Sequence, residues 1–480
     1  MESRMVYIPN TDADRAAMLA AVGMESVADL FHDVPEAQRF PALHLPPALS
    51  ELEVLRELEA LADENDDLHH LACFLGAGAY NHFVPSVVDF LLHRSEFFTA
   101  YTPYQAEISQ GTLQAHFEYQ SMICALTGMD VSNVSHYDGA TAAAEAVLMA
   151  LQVGRGKRNK VVLSPTLHPQ YREVIHTYTQ GMRLDALGED APLGDLAALA
   201  ALVDKETACL IVQNPDFLGR LYAPGEMQAL ADKVHATGAL FVVAADPISL
   251  GLFQPPGAYG ADVVVGEGQP MGNAVSFGGP YLGFFAMKMG DVRKSAGRIV
   301  GQTVDLDGER GFVLTLSTRE QHIRREKASS NICSNEALNA LAAAIYMAAM
   351  GKHGLRTVAE LSYHKAHFAV DLIGQIPGYQ VVSQGPFFKE FVVRCPQPVT
   401  TINQFLLDEY GIVGGYDLGQ DYPTLKDHVL LCVTEMNGRA EIELLAEALE
   451  EIANMEVTGT SESAGHLNDR RLDDEETAHD

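Results

Sequence analysis

The sequence predicts an α/β fold: a mostly parallel central sheet flanked by helices, preceded by a helical arm and followed by a smaller C-terminal α+β domain. Three observations carry that expectation. Four short apolar runs, Lys160 to Ser164, Ala208 to Val212, Leu240 to Ala244 and Asp262 to Val265, alternate with segments of helical period. Such alternation implies parallel strands joined by helical crossovers. Upstream the apolar spacing is helical, and downstream a long helix-rich stretch gives way to two strands and two helices.

Taken in order, residues 1–75 are expected to form the arm. Asp12 to Val22 and Ala48 to Leu61 carry apolar residues at helical spacing, and Pro35, Pro41, Pro46 and Pro47 break the chain between them. The large domain is expected over residues 76–335. Within it His116 to Leu126 reads as an amphipathic helix, Ala191 to Val203 and Gly225 to Ala236 as crossover helices, and Phe284 to Met287 as a further strand. The small domain, residues 336–455, shares the helix-rich stretch from Asn335 to Ile373. Its strands are expected at Phe391 to Arg394 and His428 to Thr434, its helices at Thr401 to Tyr410 and Arg439 to Ile452. Residues 456–480 form an acidic tail whose Asp473 to Glu476 run reads as a solvated, disordered end.

Composition narrows the function classes. A chain of 480 residues with 47% hydrophobic side chains can bury a large core. It has neither a long uncharged apolar run nor a basic segment leading into an apolar core at its start, so the expectation is a cytoplasmic protein without a membrane partner. The 64 acidic against 32 basic residues leave a formal charge of −32, which opposes contact with a phosphate backbone and argues against nucleic acid as a partner. Six scattered cysteines without a Cys-x-x-Cys pair read as reduced, buried thiols, and the 18 histidines include no His-Glu-x-x-His, so no metal is expected.

Which cofactor the sheet serves is argued from its loops. Gly76-Ala-Gly78 and Gly154-Arg-Gly156 both lack the spacing or the preceding strand that a dinucleotide fold requires, and Gly156-Lys157 is no phosphate-binding P-loop. The order of features is instead similar to pyridoxal-phosphate enzymes of the aspartate aminotransferase type, fold type I. In that fold a small-residue loop opens a helix beneath the cofactor phosphate, where free N–H groups and the helix dipole favour an anion. Asp138-Gly-Ala-Thr-Ala-Ala-Ala-Glu145 stands in that place, which makes Gly139, Ala140 and Thr141 candidates for a vestigial pocket; a capped Ala-rich helix that binds nothing fits the same residues. Asp246 ends the Leu240 strand where that fold holds the pyridine nitrogen, although a strand-end Asp also serves turns and caps. Farther on, Asp262-Val-Val-Val-Gly-Glu-Gly-Gln-Pro270 puts proline where a catalytic member has the Schiff-base lysine, so no catalytic residue is assigned; Lys288 is the next lysine downstream.

Longer motifs add a family. Tyr7-Ile-Pro-Asn-Thr11, Ala100-Tyr-Thr-Pro-Tyr-Gln-Ala-Glu-Ile-Ser-Gln-Gly111, the Asp138 loop, Ser276-Phe-Gly-Gly-Pro-Tyr-Leu-Gly283, Thr318-Arg-Glu-Gln-His-Ile-Arg-Arg-Glu-Lys-Ala328, Ser330-Asn-Ile-Cys-Ser334 and Val433-Thr-Glu-Met-Asn437 resemble the P-protein family of the glycine cleavage system. Length and Pro270 suit the separate alpha chain found where that protein is split in two. The resemblance implies an alpha2beta2 heterotetramer whose beta subunit carries pyridoxal phosphate and its lysine. It also implies the reaction: decarboxylation of glycine, release of CO2 and transfer of the aminomethyl group to the lipoyl arm of the H-protein.

For this chain the resemblance implies assistance. Tyr101, Thr102, Tyr104, Glu107, Ser109 and Gln110 are the candidates for the mouth of the partner's active site, against the plainer reading of a helix cap with packed tyrosines. Arg319, His322, Arg324, Arg325 and Lys327 either meet an anionic partner or coat a solvated helix. Two other functions stay open at this point: a structural or regulatory pseudoenzyme, and a self-sufficient pyridoxal-phosphate enzyme of another specificity.

Overall fold

The computed structural model describes residues 9–458 except Phe277, Ser329 and Gln384. The chain forms two compact units divided between Asp66 and Asp67. In the first, the helices Asp12–Ala21 and Glu51–Ala62 each open with a capping box, Thr11 with Asp14 and Ser50 with Glu53, and neither helix has a buried residue.

The second unit is built on a seven-stranded sheet in the order Val131–Ser132, Gly283–Met287, Val263–Glu267, Leu240–Ala244, Thr207–Gln213, Lys160–Leu163, Asp185–Leu187. The last five run parallel and the first two antiparallel to their neighbours. Val161 to Leu163, Ala208 to Val212 and Phe241 to Ala244 are buried without alternation, as a sheet covered on both faces requires. The helix Gly139–Val153 lies on one face through Ala142, Ala143, Ala146 and Ala150, where small side chains allow a close approach. Tyr119, Phe241, Met271 and Tyr346 fill the other side.

A smaller antiparallel sheet, Gln380–Val381, Glu390–Arg394, His428–Cys432 and Tyr416–Asp417, is backed by the helices Val399–Tyr410 and Arg439–Thr458. Phe391, Val393, Ile402, Leu431 and Leu445 form its core. Ala72–Cys73 pairs in parallel with Ile412–Val413, and the Phe74 carbonyl accepts from the Cys432 N–H, so the chain entering the large sheet first touches the small one.

Several elements depart from the sequence reading. The helix expected from His116 begins at Gln110 and runs to Thr127, ended by Gly128 at φ 72°. The helix expected from Ala191 to Val203 contracts to Leu196–Ala201, because Asp195 accepts hydrogen bonds from the N–H groups of Ala197 and Ala198 and starts the helix there. The helix Ala337–Ile373 is broken at Gly351, whose φ of 58° lies in the left-handed region. Val131–Ser132, Asp185–Leu187 and the hairpin of Ile299–Val304 with Arg310–Thr315 were not expected as strands. Among the described residues no helix is long and apolar enough to cross a membrane. The acidic run Asp473 to Glu476 lies outside the described residues.

Candidate functional site

At the C-terminal ends of the parallel strands the chain brings together Gly139, Thr141, Asp246 and Glu267. Asp138 caps the helix Gly139–Val153, its Oδ1 accepting from the Thr141 N–H at 2.7 Å. The expected anion position at this helix start holds a carboxyl group of the protein itself. Glu267 Oε2 accepts from the Gly139 N–H at 3.0 Å, and Oε1 accepts from Gln269 and Leu282, each at 3.0 Å. Burial pushes this carboxyl up to about 8 against the pull of those backbone donors. Tyr171 closes the remaining space: a Cβ on Gly139 would lie 1.8 Å from its hydroxyl. Ala140 is buried in the same turn.

Asp246 is also occupied. Its Oδ1 accepts from the Ile248 N–H at 2.8 Å, and its Oδ2 lies 2.7 Å from the ammonium of Lys389. Lys389 is 1% exposed, and its Nζ stands 3.5 Å from the centre of the Tyr80 ring. It donates to His82 Nε2 at 3.0 Å, while His82 Nδ1 is 2.6 Å from Glu435 Oε2. Burial, then the Lys389 charge, hold His82 below its usual range, so the ring is neutral and Nδ1–H donates to Glu435. Tyr80 donates to Glu390 Oε2 at 2.9 Å, and burial pushes Glu390 up to about 7. Pro270 follows Gln269, whose amide is tied to the Tyr80 backbone on both sides. Lys288 pairs with Asp262 at 2.7 Å, and the register of Val263 with Met287 puts it at the opposite end of the sheet from Asp246, which removes it as a substitute for the missing lysine.

These residues do not fit pyridoxal phosphate. A phosphate at the Gly139 turn would have to displace Glu267 and Tyr171, and a ring nitrogen at Asp246 would have to displace Lys389. Nor can Lys389 serve as the Schiff-base lysine, since the aldehyde carbon lies across the ring from the nitrogen that the aspartate would hold. Lys389 and Glu267 were missed as site residues by sequence reasoning: Lys389 stands in no recognisable motif, and nothing local in the Asp262 to Pro270 stretch marks Glu267 as the partner of Gly139.

The Tyr101 to Gly111 stretch is divided. Tyr101 and Thr102 line a cavity of about 200 Å³ together with His116, Arg298, Cys333 and Ser334. Thr102 Oγ1 is hydrogen-bonded to Ser334 Oγ, and Tyr104 accepts from Arg298 Nη2 at 3.0 Å with the guanidinium 4.7 Å above its ring. Glu107 is exposed and accepts from the Gln105 amide at 2.9 Å; Ser109 precedes the helix without a side-chain cap; Gln110 is tied to the N–H and carbonyl of Phe312. These last three do not reach the cavity.

Arg319 also departs from the reading as a surface charge: it donates to the carbonyls of Ser295 and Gly297, clamping the turn before Arg298. His322 lies edge-on to Tyr104, while Arg324, Arg325 and Lys327 stay exposed. Cys333 is exposed and Cys73 and Cys124 are half-buried, unlike the buried thiols expected; Arg298 Nη2 donates to the Cys333 sulfur at 3.0 Å.

With this geometry in view, the family model described as glycine cleavage system P-protein matches residues 5–449. The chain belongs to the glycine cleavage system P-protein family. Among its relatives is a probable glycine dehydrogenase (decarboxylating) subunit 1 of Thermomicrobium roseum, 52% identical over 452 residues that cover 93% of this chain and 99% of that protein. The protein of the same name from Geobacillus kaustophilus is 51% identical over 447 residues, covering 92% and 98%. A crystal structure of glycine decarboxylase (P-protein) of the glycine cleavage system, in inhibitor-bound form, superimposes with a TM-score of 0.83 at 43% identity, over 93% of this chain and all of that one. A sphingosine-1-phosphate lyase from Burkholderia pseudomallei, 16% identical with a TM-score of 0.63 over 88% of this chain and 94% of that one, shares the fold. The fold class read from the sequence, the pyridoxal-phosphate fold type I, is the one found.

Proposed function

We propose that this chain is the alpha subunit of a split glycine decarboxylase: it acts in the cytoplasm, carries no pyridoxal phosphate, and completes the active site of a homologous beta subunit that does. The carrying observation is the self-filled pocket, with Glu267 at the helix start, Lys389 on Asp246 and Pro270 where a lysine would be needed. In the partner, bound pyridoxal phosphate supplies the electron sink that lets glycine lose its carboxylate as CO2. Oxidised lipoyl on the H-protein then takes up the aminomethyl group. This chain orients and shields that site through Tyr101, Thr102 and Tyr104, with Glu107, Ser109 and Gln110 on the same stretch.

The surface supports a large partner interface. Tyr101 is 84% and Ile108 80% exposed, and Phe83, Phe90 and Phe98 are each more than half exposed in the segment leading to them. Such a run of apolar side chains on a lone chain marks a surface that another protein covers. An alpha2beta2 assembly follows if two such pairs join.

The test is expression of the chain alone and with the homologous chain that keeps the lysine. Alone it should show no aldimine absorbance, no borohydride-trapped cofactor and no glycine–bicarbonate exchange. The pair should co-purify and show all three. Full decarboxylation by the isolated chain would overturn the proposal, as would recovery of only monomers from the mixture.

A further inference from the structure

Five exposed cations gather on a chain whose formal charge is −32. Arg293 and Lys294 end the turn Met289–Lys294, while Arg324, Arg325 and Lys327 lie in the short turns Gln321–Arg324 and Arg325–Lys327. Arg319 holds the two stretches together, its Nη1 donating to the Ser295 hydroxyl at 3.1 Å and its Nη2 to the Gly297 carbonyl at 2.9 Å. All five cations therefore stand within a few residues of one fixed contact. Among the described residues none of the five makes an ion pair or a side-chain hydrogen bond. The carboxylates of the same stretches are the half-buried Asp291 and the exposed Glu326, so the cations are in excess. Where acidic residues outnumber basic ones two to one, cations left unpaired in a group are an attractive surface for an anion.

We propose that this surface seats the chain's own segment Leu472 to Asp480, which lies outside the described residues. Charge selects it: after Arg471 the sequence reads Leu-Asp-Asp-Glu-Glu-Thr-Ala-His-Asp, five carboxylates with no lysine or arginine among them. Reach allows it. The last described helix, Arg439–Thr458, belongs to the same compact unit as the five cations. Residues 459–471 extend to about 45 Å, roughly twice the radius of gyration of about 21 Å expected for a unit of this size. Energetics favour a tethered occupant over a free one. Exposed ion pairs are individually weak and screened by salt, so they offset little of the freedom that a free partner loses on docking. A tethered segment loses far less, because its effective concentration is already on the order of millimolar.

The segment lies beyond residue 449, where the family match ends, so this contact is a feature of the chain and not of the sequence it shares with its family. His322, in the same turn as Arg324, packs edge-on against Tyr104, and the seated segment therefore flanks the stretch placed above at the partner's active-site mouth. There it covers the basic face at low ionic strength and leaves it as salt shortens the reach of each charge. The position beside the mouth rests on the function proposed above, whereas the seat itself does not.

Carbodiimide coupling, which joins a carboxylate to an amine in direct contact, reads the seat in the full-length chain. Trypsin frees Leu472–Asp480 after Arg471, and peptide mass mapping then identifies the lysine to which it is joined. At low ionic strength that lysine should be Lys294 or Lys327 at least about fivefold more often than Lys157, Lys205 or Lys352, which are exposed elsewhere on the chain. High salt should abolish the preference. Arg324→Gln combined with Arg325→Gln, at exposed positions without side-chain bonds among the described residues, should cut it at least about threefold and leave the melt unchanged. Coupling that is absent or spread evenly over the exposed lysines, or a preference that survives both salt and the arginine substitutions, would overturn the seat and return the segment to a solvated end. In an equal mixture of unlabelled and nitrogen-15-labelled chains, products confined to one isotope support the seat. Products of mixed isotope overturn it in favour of a contact between two copies.

Discussion

Lys389 is the residue on which the pocket turns. Its ammonium is buried between a carboxylate, a neutral imidazole and an aromatic face, so its desolvation is offset only while all three partners remain. Lys389→Met should therefore cost about 3–5 kcal/mol, read as a lowered denaturation midpoint, because it leaves the largely covered Asp246 without a counter-charge. Adding Asp246→Asn should recover part of that loss; additive costs in the double variant would show that the pair is not coupled. Glu267 gives the second prediction. It keeps its proton to about pH 8 in the fold but loses it near 4.5 when unfolded, so between those values the native state binds more protons and stability falls as pH rises. Glu390 and Glu145, each pushed up to about 7 by burial, act in the same direction. Glu267→Gln should flatten the slope between pH 5 and 8.5. At pH 5 it should cost about 1–3 kcal/mol, since an amide NH2 would face the Gly139 N–H. Thermal melts at both pH values decide it, and an unchanged slope would remove Glu267 as its source.

At the scale of elements, what the sequence made legible was what local pattern controls. The all-apolar runs at 208–212 and 240–244 could only be covered strands, and Asp138, Gly139 and Thr141 read correctly as a helix start. The hairpin of Ile299–Val304 and Arg310–Thr315 was not legible, because its exposed half, Gln302 to Arg310, holds only Val304 and Leu306 as apolar residues, too short an alternation to mark a strand. The filling of the pocket was hidden for another reason: Lys389 and Asp246 are 143 positions apart in sequence (389 − 246), and nothing local marks either as the other's partner. The Tyr101 to Gly111 stretch shows the same division. Gln110 is bound to a strand that sequence did not reveal, and Arg298, which lines the cavity, stands in no motif. This stretch carries the third prediction. In the reconstituted complex Tyr104→Phe removes the Arg298 bond, and Glu107→Gln alters an exposed carboxylate whose side-chain partner among the described residues is Gln105. Each should lower turnover about tenfold, or about 1.4 kcal/mol, with assembly unchanged on gel filtration. Wild-type kinetics in both variants would reduce the stretch to a helix start.

The whole molecule divides at Asp66, and the first unit is unusual for a folded segment. Its two helices are well capped yet bury nothing. Leu43 and Leu45 are 72% and 73% exposed, and Leu52, Leu55 and Leu58, at helical spacing along Glu51–Ala62, are all more than half exposed. Capping fixes where a helix starts, but a helix of this length draws most of its stability from an apolar face packed on something. Each leucine fully covered contributes about 1.5–3 kcal/mol, so the five together offer on the order of 10 kcal/mol before the costs of association are subtracted. Under the proposed assembly with a beta subunit, that surface finds cover. By contrast, every residue of the large and small cores lies at Phe74 or beyond, so the second unit holds its core without the arm. Removal of residues 1–66 should therefore leave the circular dichroism and the cooperative melt of the remainder intact. It should also weaken the complex, shifting its dissociation to at least about 100-fold higher concentration, or about 2.7 kcal/mol, a modest share of the gross burial. Sedimentation of the truncated and full-length complexes across a dilution series measures this. Identical dissociation would mean that the arm's leucines are not part of the interface, and loss of the melt would mean that the second unit needs the arm to fold.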